Sequence, residues 1–294
     1  MFVKKLMFKI MPTVSIVIPT YNRPEFLKKA IFSILNQTYQ DFEIIVIDDG
    51  LAKRADKVIK KLNDPRIKYI QHETSKGGSA ARNTGIKNAQ GKYIAFLDDD
   101  DEWLKDKLQI QLAKLQKTTA EVGFCFSAVI RKIDKGEVRN KVTEGLVDYY
   151  EIALRHFKGV LTSTLLVKKE VFEICGLFDE SLPSHQDAEL IIRLAKKYQA
   201  IGINKPLVKM FGESDHAHIG GDLDKRARGL EMLLVKHKKE YATRPKVLAR
   251  NLFRLAIFYR DNNNKDKASQ NFKQAWLTHF KWRYFLHYLK SFII

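Results

Sequence analysis

Only two cysteines occur in 294 residues, so no disulfide framework can hold this chain together. Both lie among apolar neighbours, Cys125 in GFCFSAV and Cys175 in VFEICGLF. They read as buried free thiols, which suits a reducing compartment. No stretch approaches the ~18 consecutive apolar residues of a membrane-spanning helix. The opening MFVKKLMFKIMPTVS carries Lys4, Lys5 and Lys9 and no apolar run of signal-core length, so we expect no secretory leader. There is no internal repeat and no low-complexity segment. The chain is 45% hydrophobic and 29% charged, enough for a full core and unlike a disordered composition. Its length allows one large domain, or one domain with an extension.

Acidic residues become scarce toward the C-terminus. Residues 225–294 hold 17 Lys and Arg against 4 Asp and Glu, and carry +13 of the net charge of +18. Such a skew predicts an acidic partner, although a solvated helical surface would explain it equally well. The last segment alternates Trp276, Phe280, Trp282, Tyr284, Phe285, Tyr288 and Phe292 with Lys281, Arg283 and Lys290. Aromatic-plus-basic amphipathic segments lie in the headgroup region of anionic membranes; packing onto the rest of the chain would explain the aromatics but not the charge. We therefore expect a cytoplasmic protein, with peripheral attachment to the inner face of a membrane as an option.

In the first hundred residues, apolar β-branched runs alternate with helical spacing. Residues 14–18, 43–47, 67–71 and 93–97 read as short buried strands, and 25–35, 54–62 and 79–89 as helices. That rhythm predicts an α/β fold: βαβ units on a mostly parallel sheet flanked by helices. A strand at 122–130, a weakly patterned region to about residue 160 and a helix at 187–197 follow. Strands cease near residue 225, where 248–259 and 267–276 read as an antiparallel helix pair. The division expected is an N-terminal extension (1–12), an α/β domain (13–222) and a basic, aromatic-rich helical extension (223–294).

Ligands of open α/β sheets sit beyond the carboxyl ends of the strands. Residues 19–22, Asp48-Asp49-Gly50 and the run Asp98, Asp99, Asp100, Asp101 occupy those places. Four consecutive carboxylates repel one another unless a cation neutralises them, and hard oxygen ligands here suit Mg²⁺ or Mn²⁺. An acidic loop leading into a helix accounts for one or two acids, not four. Asp49 could accept from a nucleobase N–H, or belong to an ordinary Asp-Gly turn.

The segments PTVSIVIPTYNRPEFLKKAIFSILNQTYQDFEIIVIDDG and GGSAARNTGIKNAQGKYIAFLDDDDEW resemble the family 2 inverting glycosyltransferases, which have the nucleotide-diphospho-sugar transferase (GT-A) fold. The resemblance runs over residues 13–212 and is densest over 14–103. It implies a donor pocket in which Pro19, Tyr21 and Arg23 line the base and ribose and Asp49 accepts from the base. Asp98 and Asp100 become metal ligands, Asp99 touches ribose or metal, and Arg82 lies near the donor. In HQDAELIIRL, Asp187 falls where the family carries its catalytic base, and His216 would belong to a loop near the diphosphate, with His218 close by. The family continues its DDG with Ser or Thr and then Asp, where this chain has Leu51, Ala52 and Lys53. It commonly has an acid where this chain has Gln186.

The implied reaction takes a sugar from a nucleotide-diphosphate donor, expected to be a UDP-sugar, to a hydroxyl of a glycan or lipid-linked acceptor in cell-surface polysaccharide synthesis. Such chemistry needs leaving-group stabilisation and one general base. A dinucleotide oxidoreductase would need G-x-G-x-x-G after the first strand, where PTYNRP stands. A sugar nucleotidyltransferase would need a Gly-rich basic loop near the N-terminus. A non-catalytic nucleotide- or anionic-surface-binding protein would leave the carboxylates unused, and four aspartates beside a phosphate backbone oppose nucleic-acid binding.

Overall fold

β1 (Val14–Thr20) lies between β2 (Phe42–Asp48) and β4 (Tyr93–Phe96), with β3 (Ile67–Gln71) beyond β2, all four parallel. The computed structural model describes residues 11–133, 136–155, 160–211 and 222–291. β1, β2 and β4 are continuous apolar runs because both faces of a parallel sheet are covered. α1 (Pro24–Leu35) starts at Pro24, whose fixed φ suits a first helical position, and buries Leu27, Ala30, Ile31 and Ile34. α2 (Asp56–Leu62) begins two residues later than its spacing predicted, because the Ala55 amide is held by Asp48 Oδ2 at 2.8 Å. α3 (Gly78–Asn88) has little apolar surface and packs through small residues. A Cβ on its Gly85 would lie 2.2 Å from Val17 Cγ1, so glycine lets α3 rest on β1.

The expected α/β architecture continues with β5 (Asp101–Trp103), α4 (Lys107–Leu115), β6 (Val122–Ile133), β7 (Gly136–Arg139), β8 (Gly145–Val147), α5 (Tyr150–Arg155), a 3-10 turn (Thr162–Thr164), β9 (Leu166–Lys168), α6 (Glu170–Cys175), α7 (Gln186–Lys197) and β10 (Gln199–Met210). The sheet order is β3-β2-β1-β4-β9-β6-β10-β5. Beyond β4 the pairing is mixed: β9 is antiparallel to both neighbours, whereas β10 is parallel to β6 and antiparallel to β5. β10 escaped the sequence reading because Pro206 and register shifts on both sides of it break the strand pattern.

The C-terminal helices are α8 (Leu223–Lys236), α9 (Lys238–Ala242), α10 (Pro245–Asp261), α11 (Lys265–Thr278) and α12 (Trp282–Lys290). The expected helix pair is α10 and α11, turned by Asn263 in the left-handed region and capped by Asn264, which accepts from the Lys267 amide. These helices share one hydrophobic core with α3, β6 and α7. Asn251 Nδ2 donates to the Leu154 carbonyl at 3.0 Å, and Lys196 pairs with Glu240 at 2.6 Å. Gly229 of α8 faces Ser184, whose carbonyl would be 2.7 Å from an added Cβ. α8 thus lies close against the segment that leads into α7.

Candidate active site

The carboxylate run does not behave as one cluster. Asp101 opens β5 and turns inward, where Ser163 Oγ donates to its Oδ2 at 2.6 Å; the same hydroxyl accepts from the Asp98 amide at 3.1 Å. Burial and then Asp98 push the Asp101 carboxyl well above the ordinary aspartate range. Asp99 is 1% exposed and accepts from Thr20 Oγ1 at 2.7 Å. Burial raises it to about 7 against the opposing pull of Arg23 and Thr20. Asp98 and Asp100 are more open, at 32% and 15%.

Sequence reasoning anticipated a cation among these acids. The described residues supply two of their own. Arg23 spans Asp99 and Asp100, at 2.7 and 2.9 Å, and Arg82 pairs with Asp98 at 2.5 Å. No group of three or more His, Cys, Asp or Glu among the described residues gathers to hold a metal alone. Mg²⁺ and Mn²⁺ sites of the phosphate-assisted kind use one or two carboxylates and take the remaining oxygens from the substrate. Asp98 and Asp100 fit that pattern by chemistry and exposure.

Asp49 is committed to its own fold. Its Oδ1 accepts from His72 Nδ1 at 2.7 Å and the Lys76 amide at 2.8 Å, and its Oδ2 from Ser75 Oγ at 2.9 Å and the Gly77 amide at 2.8 Å. Burial would raise its pKa, but these donors outweigh it and lower the group. Asp49 thereby shapes the turn into α3, and a nucleobase N–H reaches it only by displacing one donor. Neighbouring Asp48 accepts from Tyr69, Gly50 and Ala55. Gly50 is dictated by crowding, since a Cβ there would lie 2.5 Å from the Asn22 amide nitrogen. Asn22, with φ 55°, accepts from the amides of Ala52 and Lys53 and so tethers the divergent loop. Pro19 is the penultimate residue of β1, opposite Ile47, and Tyr21 is exposed just beyond the strand.

Asp187 lies in the first turn of α7, after His185 in the left-handed region, and its Oδ1 accepts from the Ala188 amide at 2.8 Å. Burial raises its pKa; the Ala188 amide and Arg82 pull it down, and Asp98 pushes it up. Arg82 therefore acts on both Asp98 and Asp187. Its Nε, and Ser79 Oγ one turn earlier on α3, are buried with no protein partner among the described residues. His216 and His218 lie outside the described residues.

His72 and Ser163 were missed by sequence reasoning, whereas Thr20 lies within the marked stretch 19–22. His72 directly follows β3, the same signal that marks the ends of β1, β2 and β4. Ser163 had none, because its contacts are with residues more than 60 positions away in sequence.

The profile of the family described as Glycosyl transferase family 2 matches residues 15–174. An uncharacterized glycosyltransferase of Rickettsia conorii is 40% identical over 67% of this chain and 32% of its own length. This chain thus spans about a third of the Rickettsia relatives that it matches. The amylovoran biosynthesis glycosyltransferase AmsB of Erwinia amylovora is 30% identical over 88% of both chains. An Escherichia coli protein, UDP-Glc:alpha-D-GlcNAc-diphosphoundecaprenol beta-1,3-glucosyltransferase WfgD, is 40% identical over 35% of this chain and 41% of its own. Among solved structures, S. aureus TarS 1–349 in complex with UDP-GlcNAc superposes with a TM-score of 0.73 at 17% identity, covering 95% of this chain and 89% of that one. Mannosyltransferase PcManGT from Pyrobaculum calidifontis, in complex with GDP-Man and Mn2+, gives 0.58 at 17% identity over 96% and 85%. The fold shared with these proteins is GT-A.

Proposed function

The chain belongs to glycosyl transferase family 2, and from that premise we propose that it moves a glycosyl group, with inversion, from a UDP-sugar to a hydroxyl of a lipid-linked or glycan acceptor during cell-surface polysaccharide synthesis. The observation that carries this reading is Arg82, paired with Asp98 on one side and acting on Asp187 on the other. Its Nε and Ser79 Oγ are buried donors available to the oxygens of a bound donor substrate. Pro19 and Tyr21 flank the base, Arg23 reaches the ribose or phosphates, and Asp49 shapes the wall of the pocket. Asp187, with its raised pKa, takes the proton of the acceptor hydroxyl.

Mg²⁺ or Mn²⁺ would be held by Asp98 and Asp100 with Asp99 behind them, and when bound it would offset the charge that develops on the departing diphosphate. The names of AmsB and WfgD support polysaccharide synthesis and a UDP-sugar; the Mn2+ in PcManGT supports a divalent ion. Calorimetry with UDP tests the reading: binding is expected with Mn²⁺ and lost with EDTA. Equal affinity in both would remove the metal, and no binding of UDP or GDP in either would sink the assignment. Asp100→Asn should abolish the metal dependence and leave the melting temperature unchanged.

We also propose that α12 rests on an anionic bilayer. Packing accounts for part of its aromatic run: Tyr284, 5% exposed, stacks on Phe253, and Trp276 packs on Phe285 and Tyr288. It does not account for Trp282, 66% exposed, nor for Phe280, Leu286 and Leu289. Trp282, Leu286 and Leu289 follow helical spacing and share a face, bordered by Lys281, Arg283 and Lys290. No helix of the described residues is long and apolar enough to cross a membrane.

A further inference from the structure

The backbone around Arg23 is pinned, whereas its side chain has an open side. Asn22 accepts from the amides of Ala52 and Lys53, Pro24 starts α1, and the Arg23 carbonyl accepts from the Leu27 amide at 3.1 Å. From this anchor the guanidinium reaches the carboxylate run, donating to Asp100 Oδ2 at 2.9 Å and lying 2.7 Å from Asp99 Oδ1. Only the Asp100 contact is an aligned hydrogen bond. Asp99 Oδ1 is buried and accepts no hydrogen bond among the described residues, although Thr20 fixes Asp99 through its other oxygen. Permanent partners of a buried carboxylate are aligned, as all four donors on Asp49 are. The Arg23 side chain is 31% exposed; that of Arg82 is 14% exposed, with its guanidinium 5.6 Å from the Phe178 ring centroid. Of the two arginines on the run, Arg23 is the one with room to leave.

We infer that Arg23 stands in for the divalent ion, keeping the Asp99–Asp100 pair closed to a metal that arrives alone and releasing it when a nucleoside diphosphate draws the guanidinium away. This rests on the glycosyltransferase reading above. Asp100 is one of the two open carboxylates that fit Mg²⁺ or Mn²⁺, and the guanidinium covers an oxygen that the metal would need. Charge points the same way. Arg23 and Arg82 already oppose Asp98, Asp99 and Asp100, so a dication arriving by itself meets a like charge at close range. A diphosphate brings the missing negative charge. Its oxygens can engage the planar guanidinium in pairs, where the two carboxylates offer it one aligned bond. Nucleotide and metal are thereby coupled, each tightening the other by the same factor.

Mn²⁺ titrated alone into the full chain, with bound ion followed by loss of the free-ion EPR signal, tests this without turnover. The wild type should bind it weakly, and UDP should tighten that binding by about 5- to 150-fold. Arg23→Met removes the charge and keeps a flexible stem. It should bind Mn²⁺ alone about 10-fold more tightly or better, and gain less from UDP. The same variant should bind UDP less tightly in Mn²⁺, since it lacks the guanidinium for the phosphates. Misfolding does not produce a gain for one ligand and a loss for the other. Arg23→Lys retains a repelling charge and should stay near the wild type for Mn²⁺ alone. Adding Asp100→Asn to Arg23→Met should abolish the gain. An Arg23→Met chain that binds Mn²⁺ no more tightly than the wild type overturns the inference, as does an equal gain in Arg23→Lys or a gain that survives Asp100→Asn. If the gain appears but neither UDP nor GDP binds any of these chains, the block by Arg23 stands and the glycosyltransferase reading falls. If UDP binds with Mn²⁺ and the gain is missing, that reading stands and the block falls.

Discussion

Arg82 joins the two ends of the site: its Nη2 lies 2.5 Å from Asp98 Oδ1, and its charge lowers the proton affinity of Asp187. One half-buried guanidinium thus ties the proposed donor carboxylates to the proposed base. Replacing it should disturb both. In Arg82→Met, Asp187 loses a cation, so its already raised pKa rises further and the acid limb of the kcat/KM profile moves to higher pH. A limb that stays in place would show that Asp187 does not govern it.

Asp187→Asn keeps the shape and removes the charge. Transfer should fall by the roughly 10²–10⁴-fold typical of a lost general base, while UDP affinity measured by calorimetry holds. Near wild-type transfer would exclude Asp187 as the base.

Ser163 serves as a latch for the carboxylate loop, holding the Asp98 amide and the Asp101 carboxyl with one hydroxyl. Ser163→Ala leaves a buried amide and acid without that partner, at a cost of about 1–3 kcal/mol. We expect a lower melting temperature and a raised KM for the donor, with kcat less affected. Ser163→Thr should restore most of both if the hydroxyl is what counts.

Glu189 gives the fold an acid limit. It is buried and pairs with Arg193 and Lys236 at 2.7 and 2.9 Å, with His237 at 3.4 Å. Burial alone would raise its pKa; His237, Arg193 and Lys236 outweigh this and lower it from 4.5 to about 2. A depressed folded pKa stabilises above the unfolded value, and that stability is lost as pH falls from about 4.5 toward 2. Urea midpoints of the wild type should therefore drop through that window. Glu189→Gln should be destabilised at neutral pH by about 3–5 kcal/mol, the range for breaking a buried pair, and lose much of the acid dependence. An unchanged slope would assign the acid transition to other groups.

The α12 face predicts sedimentation with anionic vesicles that is released by salt, since screening at physiological ionic strength acts over about 8 Å. Trp282→Glu with Phe280→Glu should abolish it. Equal sedimentation with neutral vesicles would refute the electrostatic component.

Much of the sheet was legible because β1, β2 and β4 are apolar runs ending in polar clusters. The runs fixed where the strands lie, and the clusters marked their carboxyl ends. β5 was hidden within the acidic run, where alternation over three residues cannot be distinguished from a loop. What the side chains do with one another was less accessible. The identity of Asp49 was readable, but its four donors come from a loop some 25 residues on, and only folding brings them in. The inward turn of Asp101 depends on Ser163, 62 residues away. The tail's charge excess was plain in composition, whereas its division between a packed face and an exposed one depended on which aromatics meet α10.

The close seating of Gly229 against Ser184 bears on how such enzymes can be recombined. A chimera joining the α/β half of one relative to the helices of another would be cut naturally between β10 and α8. Here that cut separates α8 from the backbone it touches and strands Glu189 from Lys236 and His237. A workable exchange would instead keep α7 and α8 from one parent, together with β10 and the β6 edge with which it pairs.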